Sequence, residues 1–211
     1  MSSAPLSNSS TPEFAWDVAT LFPEQGSWTE AAYLDLTDGS NKRVELVDGR
    51  LEFPAMPTEV HQALVGFLYH ALLTFAAAHG VGIVPFPPLR VRIKPGKIRE
   101  PDVLFLSNEN LHHRSNRLWT GADLVMEVVS PDPKDRLRDY EEKQTDYAQG
   151  DISEYWIVDP VAQAVVVLRL DAGRYVEHGR FAIGETATSR RLDGFVIDVT
   201  ELFAVTKDIP Q

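Results

Sequence analysis

Two kinds of hydrophobic spacing alternate along this chain and predict its elements. Between Thr58 and His79, apolar residues recur at helical spacing, which predicts one long helix that Thr58 caps and Gly80 ends. The apolar stripe of this helix consists of Leu64, Phe67, Leu68, Ala71, Leu72 and Phe75. Two alternating runs, 43–47 and 50–53, flank Asp48-Gly49 and predict a β-hairpin, because a type I′ turn needs positive φ at both central positions.

The rest of the pattern predicts a mixed α/β (α+β) domain over residues 27–205, with tails at 1–26 and 206–211. A capping box at Ser27 to Glu30 predicts a short helix to about Leu36. The first tail contains a patch around Phe14 and Trp16 that we expect to dock. Further strands are predicted at 82–86, 89–94, 101–106, 124–130, 154–159, 164–170, 174–181 and 195–199, a helix at 136–149, and a polar loop at 107–121.

Composition narrows the class of protein. The 211 residues include no cysteine, which excludes disulfides and thiolate metal sites and fits a reducing compartment. No basic region followed by an apolar stretch opens the chain, and the apolar segment 64–78 is shorter than the ~20 residues of a membrane span. We therefore expect a cytoplasmic protein without a membrane partner.

The net charge of −11 counts against extensive nucleic-acid binding, which usually depends on neutralising phosphates. A local exception is the segment 90–99, which holds five cations and no acid. Two interpretations stay open: the segment faces phosphate, or it is the solvated edge of a hairpin.

Two acidic residues interrupt apolar strands. Asp102 follows Pro101 at the head of the run 103–106, and Glu127 lies inside the apolar run 124–129. An ionised carboxylate among apolar residues is costly unless a cation or a hydrogen-bonding partner compensates it. If the strands are neighbours, the pair predicts a divalent metal site. The alternatives are a capping role for Asp102 and an ion pair with arginine or lysine for Glu127.

The helix that follows Glu127 carries a candidate cation. Its predicted inner stripe places Gln144 near the centre and Lys143 on the flank, from which the ammonium can point toward the strand ends. The members of this stripe are Leu137, Tyr140, Gln144, Tyr147 and Ala148. A solvated flank lysine is the alternative. His61 and His70 lie nine residues apart on the long helix, which is not the spacing of a metal-binding pair, so surface or hydrogen-bonded histidines are the simpler interpretation.

Together these segments resemble the PD-(D/E)XK nuclease superfamily, and most closely its Uma-two family of restriction-endonuclease-like proteins. The resemblance spans roughly residues 28–203 and rests on the hairpin 44–51, His61, the runs 101–105, 124–131 and 154–160, and Lys143 four residues before Tyr147. It implies a restriction-endonuclease-like core, with a central mixed sheet flanked by helices and additional C-terminal strands. The chain departs from the superfamily motif at Val129, where a lysine is usual, and Lys143 is the matching position in this family.

The resemblance also implies a chemistry. Asp102, Glu127, the carbonyl of Val128 and Glu45 would coordinate Mg²⁺, with Mn²⁺ as a substitute, and Lys143 would orient the attacking water. Gln144 and His61 are auxiliary candidates. The implied reaction is hydrolysis of DNA phosphodiester bonds by an endonuclease, and cutting both strands favours a homodimer.

Two other functions stay open. A protein that keeps the nuclease fold without catalysis could bind nucleic acid or a protein partner, as the acidic charge and the displaced lysine suggest. A metal-dependent hydrolase of small phosphate esters is the third candidate, although the sequence contains no Gly-rich phosphate loop.

Overall fold

The computed structural model describes residues 22–40 and 42–210, so the predicted patch around Phe14 and Trp16 lies outside the described residues. The helices are α1 (Glu30–Thr37), α2 (Glu59–His79), α3 (Pro133–Leu137), α4 (Lys143–Gln149) and α5 (Val199–Ala204), with a 3₁₀ helix at Asn108–His113 and a π-helical turn at Arg138–Glu142. The strands are β1 (Glu45–Val47), β2 (Arg50–Glu52), β3 (Gly82–Ile83), β4 (Val91–Lys94), β5 (Lys97–Arg99), β6 (Val103–Ser107), β7 (Leu124–Val128), β8 (Glu154–Asp159), β9 (Ala164–Asp171), β10 (Arg174–Ala182), β11 (Thr186–Thr188) and β12 (Val196–Asp198).

The central sheet has six strands in the order β10-β9-β8-β7-β6-β3. Strands β7 and β8 pair in parallel, and the other neighbours are antiparallel. Every residue of β7 and β8 is buried, because both faces of the sheet are covered. This burial explains the nearly continuous apolar runs of these two strands in the sequence.

A smaller antiparallel sheet, in the order β2-β1-β5-β4, lies beside the central one. Asp48 (φ 48°) and Gly49 (φ 77°) both adopt positive φ between β1 and β2, which confirms the predicted hairpin turn. Strand β5 was not predicted separately from β4. Helix α1 also forms as predicted, but Thr29, rather than Ser27, caps it by accepting a hydrogen bond from the amide of Ala32.

Helix α2 packs its apolar stripe against one face of the central sheet. Thr58 caps its start and Gly80 (φ 63°) ends it, as predicted. Leu64, Leu68 and Leu72 are fully buried in this packing. By length and composition alone, the 21 residues of α2 would also qualify as a membrane span, so our expectation that the segment is too short was wrong. Its buried stripe is what a core helix of a globular domain shows.

The helix after β7 differs from its prediction in a way that matters for the site. It begins at Pro133, and a π-helical turn separates α3 from α4, with the Lys143 amide donating to the carbonyl of Arg138 five residues back. The longer turn changes which side chains face the sheet. Leu137 is therefore 49% exposed while Lys143 is 4% exposed, so the predicted stripe centred on Gln144 was wrong.

Candidate active site

The central sheet brings Asp102 and Glu127 together. Val103 of β6 pairs with Met126 of β7, so continuing the antiparallel register by one position sets Asp102 opposite Glu127. Opposite residues of an antiparallel pair point to the same face, with Cβ atoms about 5 Å apart. Both carboxylates are buried, at 5% and 2% exposure, under α4 and the small sheet.

Asp102 is held at the end of β6 by three contacts. Its Oδ2 accepts the backbone N–H of Val128 at 3.0 Å and lies 3.1 Å from Nε2 of His61, while its Oδ1 lies 3.4 Å from Nη1 of Arg43. Burial would raise the pKa of Asp102, but His61, Arg43 and Lys143 outweigh it and hold the pKa well below its ordinary value. Asp102 is therefore an ionised acceptor, and Nε2 of His61 donates to it.

Glu127 meets the predicted lysine. Its Oε1 lies 2.8 Å from Nζ of Lys143 and also accepts the hydroxyl of Tyr147. The same Nζ lies 3.1 Å from Oδ1 of Asp139, which is itself buried. The alternative of a solvated lysine is thus excluded, and the alternative of an ion pair for Glu127 is what the structure contains.

The cluster has a surplus of buried negative charge. Burial raises the pKa of Glu127, and although Lys143 lowers it, the charges of Asp102, Asp139 and Glu45 raise it again, to about 7. Burial would lower the pKa of Lys143, but the surrounding carboxylates raise it above its ordinary value, so the ammonium stays charged. Burial and the neighbouring acids thus both oppose ionisation of Glu127, and a further cation beside it would favour the ionised form.

Glu45 lies near this cluster but is bound elsewhere. Its Oε2 is 2.8 Å from Nη1 of Arg99, and its Oε1 accepts the backbone N–H of Glu100 at 2.9 Å. Burial would raise the pKa of Glu45, but Arg99 and Lys143 lower it to about 2. Arg99 is fully buried and also holds Glu52 at 2.8 Å and Asp146 at 2.7 Å. Both carboxylate oxygens of Glu45 are therefore engaged by protein donors in this arrangement.

The oxygen ligands that this site could offer to Mg²⁺ include two carboxylates rather than three. Within residues 22–40 and 42–210, no three His, Asp or Glu side chains form a ready metal-binding cluster. Mg²⁺ needs oxygen ligands, retains several waters, and is commonly bound by one or two carboxylates together with substrate phosphate. Asp102, Glu127 and the Val128 carbonyl, which adjoins the amide bound by Asp102, fit that pattern without Glu45.

The remaining candidates take other positions. His61 joins the site through Asp102, whereas Gln144 is half-buried on the flank of α4 and contacts neither carboxylate in the part of the chain that the structure describes. Most cations of the basic segment are held by acids: Arg90 lies 2.7 Å from Asp38, and Arg92 lies 2.6 Å from Glu30. Lys94 is more loosely held, since its Nζ lies 4.0 Å from Asp48 and 39% of its side chain is exposed. The segment is neither a surface that faces phosphate nor a fully solvated hairpin edge, because Lys97 and Arg99 are buried among acids.

Several site residues were missed from the sequence. Asp139 stands four residues before Lys143, a spacing at which helical side chains share a face, so its proximity to Lys143 was predictable, as was that of Tyr147 four residues after it. Arg43 and Arg99 carry no comparable local signal, because they reach the acids from other strands and loops.

Comparisons with known proteins agree with this fold. The sequence profile of the Uma2 family, described as "Putative restriction endonuclease", matches residues 30–200. A crystal structure titled a "putative nuclease belonging to DUF820", from Anabaena variabilis ATCC 29413, is similar with a TM-score of 0.70 and 16% sequence identity, covering 84% of this chain and 98% of that one. No curated protein matches the chain. The predicted mixed α/β, nuclease-like fold is confirmed, and the chain belongs to the Uma2 family.

Proposed function

We propose that this protein is a Mg²⁺-dependent endonuclease that hydrolyses DNA phosphodiester bonds with an activated water. The observation that carries the proposal is the convergence of two buried carboxylates and one ammonium. Asp102 and Glu127 face each other across β6 and β7, and Nζ of Lys143 lies 2.8 Å from Glu127. The family description and the nuclease-like fold support a nuclease in general.

Each side chain has a part in this proposal. A bound Mg²⁺ supplies Lewis-acid activation of water and charge on the phosphate oxygens. Asp102 stays ionised and is oriented by His61 and by the amide of Val128. Lys143 stays protonated, so its ammonium can orient a water and stabilise negative charge that develops on the phosphate. Arg43, with a quarter of its side chain exposed beside Asp102, is placed to hold a neighbouring phosphate.

A non-catalytic binding module is the second candidate, because one observation favours it. The ammonium of Lys143 and the hydroxyl of Tyr147 both contact Oε1 of Glu127. A metal therefore has to use the other oxygen of Glu127 or displace these contacts. If the ion pair never opens, the fold binds a partner without catalysis.

Plasmid cleavage with Mg²⁺, Mn²⁺ or EDTA separates the two candidates. We expect metal-dependent nicking by the wild type and a loss of at least about 100-fold in Asp102→Asn, which keeps a side-chain acceptor for the Val128 amide. Asp198→Asn is the matched control, because Asp198 only caps α5 and asparagine caps equally well. Equal rates in Asp102→Asn and wild type would exclude the endonuclease.

We also propose a homodimer, because twofold symmetry would present two sites to the two strands of a duplex. Light scattering at several protein concentrations gives the mass in solution. A monomer that still cuts both strands would remove this part of the proposal.

A further inference from the structure

A cleft outside the carboxylate cluster opens beside Asp102. It has a volume of about 340 Å³, within the range of small-ligand sites. One group of its lining residues is polar and mutually bonded: Arg43, His61 and Asp102. The other walls are apolar and come from α2 and from the segment 86–88.

The cleft follows two turns of α2. His61, Val65 and Tyr69 line it at four-residue intervals, so it extends about 12 Å along the helix from the Asp102 contact to the aromatic end. Gly66 lies between them, and a Cβ added there would meet nothing within 4 Å. This turn of the helix therefore borders open space that a side chain of moderate size could fill.

An exposed aromatic pair marks the far end. Phe86 is 76% exposed and packs edge-to-face on Tyr69, with ring centroids 5.3 Å apart. A ring this exposed contributes little to the core, whereas exposed aromatic faces are what nucleic-acid-binding proteins use to stack single bases. Arg43, at the polar end, offers a cation for the attached phosphate.

We propose that this cleft binds one unpaired base of a DNA strand, stacked on Phe86, while the adjacent phosphate lies at Asp102. The proposal rests on the proposed endonuclease function, which brings the phosphodiester to Asp102. Three features of the cleft favour a base: an exposed aromatic ring at one end, a cation at the other, and direct continuity with the carboxylates where a phosphodiester would react.

An unpaired base is favoured over duplex DNA for two reasons. A paired base must leave its stack before it can enter a cleft, which costs free energy that a single strand does not incur. In addition, Arg90 and Arg92 are held by acids, and the net charge is −11, so the basic segment 90–99 offers few free cations to the phosphates of a duplex.

The test measures binding without cleavage. A short single-stranded DNA carrying one 2-aminopurine, a base whose fluorescence is quenched by stacking, is titrated with protein in EDTA. We expect quenching by the wild type, about tenfold weaker binding for Phe86→Ala, and a similar loss for Gly66→Leu, which fills the cleft. Ala77→Leu is the matched control, because Ala77 is exposed on the same helix about three turns beyond Gly66 and does not line the cleft.

Each result supports or overturns the base site. Three results would overturn it: quenching that Gly66→Leu leaves intact, no quenching by the wild type, and tighter binding of the paired duplex than of the single strand. In the last two cases the cleft takes another occupant, such as a peptide or a second copy of this chain. Cleavage of plasmid DNA and of the single strand in Mg²⁺, scored separately, tests the endonuclease. Quenching without any cleavage would support the base site and exclude the endonuclease. Cleavage without quenching, unchanged in Gly66→Leu, would support the endonuclease and exclude the base site.

Discussion

Lys143 reaches Glu127 from a helix, across a distance of 2.8 Å, instead of from the strand position two residues after the acid. Val129 stands at that strand position and is 1% exposed in the core. A lysine at position 129 and Lys143 on the helix would both lie on the face of the sheet that carries Glu127, because residues 127 and 129 point in the same direction along a strand. The helix can therefore supply the cation that the strand lacks.

The Lys143–Glu127 contact predicts a loss of stability as well as of activity. Lys143→Met keeps the length of the side chain but leaves Glu127 buried without its cation, while Asp139 keeps only Arg138, whose Nε lies 3.5 Å from Oδ1. Removing one partner of a buried ion pair costs about 3–5 kcal/mol. We expect urea unfolding to show a loss of that order, and plasmid nicking to disappear at temperatures where the variant remains folded. A variant with normal nicking would remove Lys143 from the mechanism.

Glu45 and Asp102 are predicted to differ in metal binding. Because Arg99 holds Glu45, we expect Glu45→Gln to retain a Mn²⁺-dependent rise in melting temperature, although its own baseline melting temperature falls. Asp102→Asn should lose the Mn²⁺ effect. If Glu45→Gln loses it equally, then Arg99 releases Glu45 when metal binds, and the three-carboxylate arrangement that we first predicted is correct.

Arg99 is predicted to be a structural cation. Burial would lower its pKa, but Glu45, Asp146 and Glu52 raise it above the ordinary arginine value. Arg99→Met leaves these acids without their shared partner, so we expect a loss of about 3–5 kcal/mol in the free energy of unfolding. Arg169→Met is a control, since Arg169 forms only an exposed pair with Asp171, worth about 0–1 kcal/mol. Equal losses in the two variants would contradict this role.

Asp159 predicts a pH dependence away from the candidate site. Burial would raise the pKa of Asp159, but hydrogen bonds from Arg136, the Ala162 amide and Tyr140 lower it from 3.8 to about 2. A depressed pKa contributes stability above the unfolded-state pKa, and that contribution is lost as the pH falls through the folded-state value. We expect the difference in unfolding free energy between wild type and Asp159→Asn to shrink between about pH 4 and pH 2. A difference that stays constant over this range would show that the charge of Asp159 does not matter.

Turns and helix ends, which depend on a few neighbouring residues, were predicted correctly from the sequence. The turn at Asp48-Gly49 and the ends of α2 at Thr58 and Gly80 follow from backbone preferences of single residues, and all three formed as expected. An acid in each of two apolar strands was also a local signal, whereas the facing of Asp102 and Glu127 depends on the pairing of β6 with β7.

Features that depend on register or on irregular backbone could not be predicted. Helical periodicity assumes a constant turn, so the π-helical turn before Lys143 shifted the real inner face away from Gln144. The ion pair between Glu45 and Arg99 depends on the pairing of β1 with β5, and these two residues are more than fifty positions apart in the sequence. Nothing near Glu45 in the sequence indicates that partner.

Anomalous diffraction from a crystal soaked in Mn²⁺ would locate the metal itself. We expect one strong peak within coordination distance of carboxylate oxygens from both Asp102 and Glu127 and of the Val128 carbonyl, with Lys143 beside it. An absent peak at a saturating Mn²⁺ concentration, or a peak that touches neither carboxylate, would contradict the proposal that this pair of acids is a catalytic metal site.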